Sequence, residues 1–245
     1  MKTEYHAFVD GDAGRCGAIV RHVEPQSLRT RTVFRMGEDA TVYLVDHVVH
    51  HDGDVRQWRR FEYDSPSSER QHSGIRAPDG TVHVDGILAP DLYDAVGAYG
   101  EHLVLAQMLG DDAEAVSYVQ FDEGDPEEEA QAAELNRRGI EATELLDGST
   151  VDAERIELVL AGRSTNTHWC VGGVVVKSDW CGAQSFLVDD LNALCAGLDS
   201  EVTARIEEFA VDATCHDGHH LYERSGHAAD LPRHPGNSRR RRDHL

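Results

Sequence analysis

The sequence predicts an α+β or mixed α/β fold: an antiparallel, β-rich amino-terminal portion over residues 1–89, followed by an α/β portion over 90–212 that contains a βαβ unit. Three observations predict it. Up to residue 89, short runs of β-branched and aromatic residues alternate with Gly, Asp and Pro turn signals. From Pro90 onward apolar residues fall at helical spacing. Between Ala115 and Leu145 a strand signal, a helix-start signal and a second strand signal follow one another, the order that calls for a parallel pair.

The elements follow in order. Tyr5 to Val9 is a short apolar-rich run that ends in the turn-forming stretch Asp10-Gly11-Asp12-Ala13-Gly14. Gly17 to Val23 and Arg31 to Met36 read as strands. Thr41 to His51 and Asp54 to Tyr63 flank Asp52-Gly53, a pair suited to a hairpin turn with positive φ at both central residues. Pro78-Asp79-Gly80 turns the chain into Thr81 to Leu88. Pro90 to Leu109, with Leu92, Val96, Tyr99, Leu103 and Met108, reads as a helix stopped by Gly110, which places the boundary between the portions near 89–111.

Ala115 to Phe121 reads as a strand. Asp125 can cap a helix that opens on Pro126 and places Glu127, Glu128 and Glu129 at its positive end. That helix would run to Arg138, stop at Gly139 and return as a strand over Ile140 to Leu145. Arg155 to Leu160 and Cys170 to Lys177 add strands, and helices over Ser185 to Leu198 and Ser200 to Val211 close the body. Residues 213–245 lack apolar periodicity. They carry His216, His219, His220, His227, His234 and His244 and the run Arg239 to Arg242, and read as a disordered extension.

Composition narrows the setting. The chain has 245 residues, with 45 Asp+Glu against 23 Lys+Arg and a formal charge of −22. Lys2 and Lys177 are its only lysines. Such a surface repels itself at low salt, whereas at about 1 M salt the screening length falls to about 3 Å. The composition resembles that of proteins from extremely halophilic organisms. The acid is spread along the body rather than gathered in one block, which favours salt adaptation over a site for a basic partner. Nothing approaches the ~20 apolar residues of a spanning helix, so no membrane role is expected. The 5 cysteines show no Cys-x-x-Cys pair, which points to the reducing cytoplasm rather than a disulfide framework or a structural zinc site.

Two groups of residues can carry chemistry. The first is His6, Asp10 and Asp12, joined by Asp46 and His47, with His50, His51, Asp52 and Asp54 close in sequence. An imidazole and several carboxylates can hold Mn²⁺ or Mg²⁺, which would activate water and neutralise a phosphate oxygen. The spacing His6-x-x-x-Asp10-x-Asp12 resembles the first motif of the DHH phosphoesterases, and Asp46-His47 resembles their later Asp-containing motifs. The resemblance covers about fifty residues and implies a metal-dependent phosphoesterase. On the residues alone, Asp10-Gly11-Asp12 also reads as a turn, with the histidines on an exposed hairpin face.

The second group is Arg163, His168, Asp179, Cys181, Gln184 and Ser185. It surrounds the expected passage from the last strand into a helix, where free backbone N–H groups favour anions. It suits a noncovalent small-ligand pocket. A thiol enzyme would further need His168 beside Cys181. Arg56, Trp58, Arg59, Arg60 and Tyr63 interleave basic and aromatic residues on one strand, a pattern that can stack single-stranded nucleic acid, though cross-strand pairing with neighbouring acids is the preferred reading. The functional expectation is a noncatalytic small-ligand-binding or regulatory protein, with the β-rich portion available as a homodimer surface. The metal-dependent phosphoesterase is the alternative, and nucleic-acid binding ranks third.

Overall fold

The computed structural model describes residues 1–11, 14–36 and 40–215, the side chains of residues 212–215 excepted. The expected tail lies outside these residues from 216 onward, and so does Asp12. The first eight strands are β1 (Lys2–Asp10), β2 (Gly14–Glu24), β3 (Ser27–Phe34), β4 (Tyr43–His51), β5 (Trp58–Ser65), β6 (Arg70–Arg76), β7 (Val82–Val84) and β8 (Ile87–Leu88). After β9 (Ala95–Gly97) comes helix α1 (Glu101–Gly110). The chain then forms β10 (Ala115–Phe121), β11 (Gln131–Glu144), β12 (Thr150–Leu160), β13 (Arg163–Val171), β14 (Val174–Trp180) and β15 (Ala183–Val188), followed by helices α2 (Leu191–Cys195) and α3 (Ser200–Cys215).

All fifteen strands belong to one sheet, in the order β8-β7-β6-β5-β4-β3-β2-β1-β15-β14-β13-β12-β11-β10-β9. Every pairing is antiparallel except β9 with β10. The α+β / mixed α/β expectation is therefore wrong: the described residues form a curled, almost wholly antiparallel meander with α1, α2 and α3 attached. Residues 1–89 and 90–212 both contribute strands to this single sheet.

The expected βαβ unit fails at a definite place. Residues 131–138 are strand, not helix, and β10 and β11 pair antiparallel. Ala133 and Leu135, two apart, are buried on one face, while β10 and β12 supply ladder partners on both sides. That burial and pairing outweigh the helix preference of a Glu- and Ala-rich segment. Gly139, expected as a helix stop, instead sits at a register shift in the β11–β12 ladder. The helix expected over Pro90 to Leu109 survives only in its second half, because Ala95–Gly97 is drawn into the sheet beside β10. The strand expected over Cys170 to Lys177 is cut by the Gly172-Gly173 turn. The helix expected from Ser185 begins only at Leu191, since Ser185 belongs to β15.

The sheet curls until β9 packs against β5. Trp58 of β5 donates its indole N–H to the Ala95 carbonyl of β9 at 2.8 Å. The rings of Phe61 and Phe121 pack tilted, 5.4 Å apart, in the same seam. Within the curl, α1 presses Val104, Leu105 and Met108 against Leu135, Ile156 and Leu158. Outside it, α2 and α3 cover the opposite face of β1 to β3, with Leu194, Val202, Ile206 and Phe209 on Ala7, Ala18, Val20 and Val33.

Candidate functional site

Side chains alternate between the two faces of each strand, so the ladder register states what faces the interior. One row runs across six strands as direct partners: Glu4, Arg21, Thr30, His47, Tyr63 and His72. Four residues further along β1, or about 13 Å, lies a second row: Ser178, Ser185, Phe8, Gly17, Phe34 and Tyr43. The second row is aromatic at its centre, where Phe8 and Phe34 stack at 5.2 Å. Gly17 permits that contact, since a Cβ there would stand 2.4 Å from Phe34 Cβ.

Between these rows and the first turn of α1 lies a cavity of about 480 Å³. Its apolar wall includes Phe8, Ile19, Phe34, Leu105, Leu158 and Trp180. Its polar wall includes Arg21, Thr30, Tyr99, Glu101, His102, Asn166, His168 and Ser178.

Hydrogen bonds tie much of the polar wall together. His168, 3% exposed, lies 2.6 Å from Glu101 Oε1 through Nε2 and 2.9 Å from Ser178 Oγ through Nδ1. Asn166 donates to Glu101 Oε2 at 3.2 Å. His102 Nε2 lies 3.0 Å from Glu4 Oε2, and Lys2 Nζ lies 2.8 Å from Glu4 Oε1. Behind them His47 Nε2 is 3.1 Å from Glu123 Oε1, and its ring stacks on Tyr99 at 4.9 Å.

Burial sets the titration of this network. It penalises the Glu4 carboxylate, but hydrogen bonding outweighs that penalty, His102 above all, and holds the acid well below the usual carboxylate range. His6 is buried, with Nε2 3.8 Å from Glu4 and out of hydrogen-bond reach. Desolvation pushes it down to about 4. His102 is lowered by burial first and then by the Arg21 charge. Arg21 is itself lowered by burial, while Glu4 and Glu101 favour its charged form.

Arg21 differs from its neighbours. It is 8% exposed and lines the cavity, yet among the described residues no hydrogen bond or ion pair engages its guanidinium. Its ladder partner Glu4 faces His102 and Lys2 instead. Its other ladder partner, Thr30, is 1% exposed, and its hydroxyl also lacks a partner.

The described residues among those expected to bind metal are not gathered. His6 and His47 face the interior on β1 and β4, with β2 and β3 between them. Asp46 faces outward, as its alternation with His47 requires, and accepts two hydrogen bonds from Arg31 at 2.6 Å each. Asp10 ends β1, about 13 Å of extended chain from His6. Among the described residues no group of three or more His, Cys, Asp or Glu is placed to hold a metal ion.

Of the second group, His168 lines the cavity and Ser185 lies in the row beside it, accepting from Trp180 Nε1 at 3.0 Å. The helix start expected there is absent, because Cys181-Gly182 is the two-residue turn joining β14 and β15, with φ of 57° and 110°. The positive φ suits Gly182 and explains why the chain reverses here. Asp179 accepts from the Gly182 amide at 2.9 Å and holds Gln184 at 3.4 Å. Cys181 donates to the Thr165 carbonyl, and Arg163 begins β13 on the exposed surface. Trp58 and Tyr63 are core residues, while Arg56 pairs with Asp54, Arg59 with Asp52 and Arg60 with Glu62. Sequence reasoning missed Glu4, Arg21, Thr30, Glu101 and His102. β2 is buried on both faces, so no polar phase marks Arg21 as inward-facing.

No protein-family model and no curated protein matches this sequence. Solved structures similar to this chain include two proteins of unknown function. One is a β-barrel-like protein of the domain of unknown function DUF1849 from Brucella abortus, at 10% identity and a TM-score of 0.47, covering 76% of this chain and 95% of the other. The second, a DUF1089 family protein from Pseudomonas aeruginosa, is 14% identical with a TM-score of 0.37, over 65% of this chain and 86% of its own. Among the described residues no helix is long and apolar enough to cross a membrane.

Proposed function

We propose that this protein is a noncatalytic binder of small molecules that holds its ligand inside the curl of the sheet. The observation that carries the reading is the cavity of about 480 Å³, walled on one side by aromatic and aliphatic side chains and on the other by a buried polar network. Pockets of roughly 300–1,000 Å³ with that mixture suit drug-sized ligands. The backbone around Ser178 argues against chemistry at this site. Ser178, His168 and Glu101 have the residue types of a hydrolytic triad, and both ring nitrogens of His168 are engaged by the other two. Ser178 sits mid-strand with ladders on both sides, so the neighbouring backbone N–H groups are committed to the sheet rather than converging on an oxyanion.

The test is titration with 1-aminoanthracene, an uncharged fluorescent probe, in concentrated KCl. Saturable enhancement at one probe per chain is expected, and Ile19→Trp, which fills the cavity, should abolish it while leaving the circular dichroism spectrum intact. Unsaturable enhancement, or equal binding by the folded Ile19→Trp protein, would overturn the proposal.

A further inference from the structure

The cavity also states what kind of ligand it suits. The carboxylates at its wall are already engaged: Glu101 holds His168 and Asn166, and Glu4 holds His102 and Lys2. The charged group left over is a donor. Arg21 lines the cavity at 8% exposure with no hydrogen bond or ion pair among the described residues, and the Thr30 hydroxyl directly beside it in the ladder is buried and unpartnered. A buried guanidinium without acceptors is costly, and an oxyanion relieves that cost.

We infer that the ligand is a monocarboxylate with an apolar body, its carboxylate received by Arg21 and Thr30 at the deep end of the cavity. The inference rests on the cavity being a ligand site. The planar fork of a guanidinium matches a carboxylate with two parallel hydrogen bonds. One negative charge is what the site can take: Glu4 and Glu101 already stand in the field of Arg21, so a dianionic phosphate would add uncompensated charge in a low-dielectric interior. The apolar body then runs from the Arg21 row toward Phe8, Phe34 and Trp180, about 13 Å away along the strands. Phe34, Tyr43 and Trp180 are half-exposed, whereas Arg21 and Thr30 are buried, so the aromatic end is the mouth and the charge lies at the bottom.

The experiment is displacement of 1-aminoanthracene by decanoate, decanol and decyl phosphate in concentrated KCl. Decanoate should displace the probe roughly 10- to 100-fold more effectively than decanol, the worth of a charge-assisted hydrogen-bonded pair, and more effectively than decyl phosphate. Arg21→Met should erase the advantage over decanol while the probe still binds. Because that variant alters a buried charge, a second measurement uses the unaltered protein: [1-¹³C]decanoate in the complex should stay ionised at a pH where the free acid is half protonated. Equal displacement by decanoate and decanol, preference for decyl phosphate, or a bound acid that protonates more readily than the free one would each overturn the inference. Failure of aminoanthracene to bind would instead remove the cavity reading beneath it.

Discussion

The two wings of the sheet bury opposite faces. From β10 to β12 the inner face is mostly apolar and α1 covers it, while the outer face carries ion pairs such as Arg138 with Glu157 and Arg155 with Glu141. From β1 to β4 the outer face is apolar and α3 covers it, and the inner face keeps the row Glu4, Arg21, Thr30 and His47. One core lies within the curl and the other outside it. The cavity occurs where the first has ended and the polar row has begun, so the outer helix carries the hydrophobic work on the wing whose interior is left for a ligand.

The largest effect that would break this comparison comes from α3. Phe209 stacks on His22 at 4.8 Å and receives Arg31 over its ring at 4.9 Å. Phe209→Ala should cost about 3–5 kcal/mol of unfolding free energy in a denaturant titration. A loss under about 1 kcal/mol would mean that the outer face of the amino-terminal wing is surface rather than core.

Acid should discriminate between the wings next. His6 is held neutral by burial, with Glu4, Arg21 and His102 facing it, and its folded value is about 4 against 6.5 in the unfolded chain. A depressed histidine contributes stability that is complete above the unfolded value and is lost as pH falls toward the folded one. Between pH 6.5 and 4 the protein should therefore lose about 3 kcal/mol from this group, and His102 acts in the same direction. Below pH 4.5 protonation of Glu4 continues the loss, because its folded value is lowered. His6→Gln should flatten the upper part of the curve; an unchanged slope in that variant would show that the loss arises elsewhere.

The smallest change concerns the aromatic rim. Gly17→Ala would place a methyl 2.2 Å from the Val33 carbonyl and 2.4 Å from Phe34 Cβ, so a strand shift costing about 1–3 kcal/mol is expected. The melt should fall and aminoanthracene affinity should drop with it, since Phe34 lines the mouth. Loss of stability with no loss of probe binding would place the ligand away from the rim.

How much of this was legible in the sequence follows from the same contrast. Ala115 to Phe121 is rich in β-branched and aromatic residues and its strand was read at both bounds. The Ser200 helix shows its amphipathic face and was read from its first residue. The helix expected after Pro126 failed because Glu127 to Glu129 promise a helix start that long-range pairing overrides, and no local signal reports a ladder partner in β12. The candidate site was legible at His168, an imidazole beside Trp169 and Cys170 that was expected near the β14–β15 turn. Arg21 was hidden: Ala18, Ile19 and Val20 before it are all buried, so β2 has no visible phase. Asp46-His47 looked like a unit in the chain, yet strand alternation sends its two side chains to opposite sides of the sheet.

The seating of β1 against β15 carries a consequence for how the chain acquires its shape. These two strands, nearly the whole described length apart, are neighbours at the middle of the sheet. Each wing can zip outward from its own hairpins, but the join at the centre waits for residues 183–188. During synthesis the free edge of β1 therefore stays open through most of translation, and the late, non-local closure makes this molecule a slow folder.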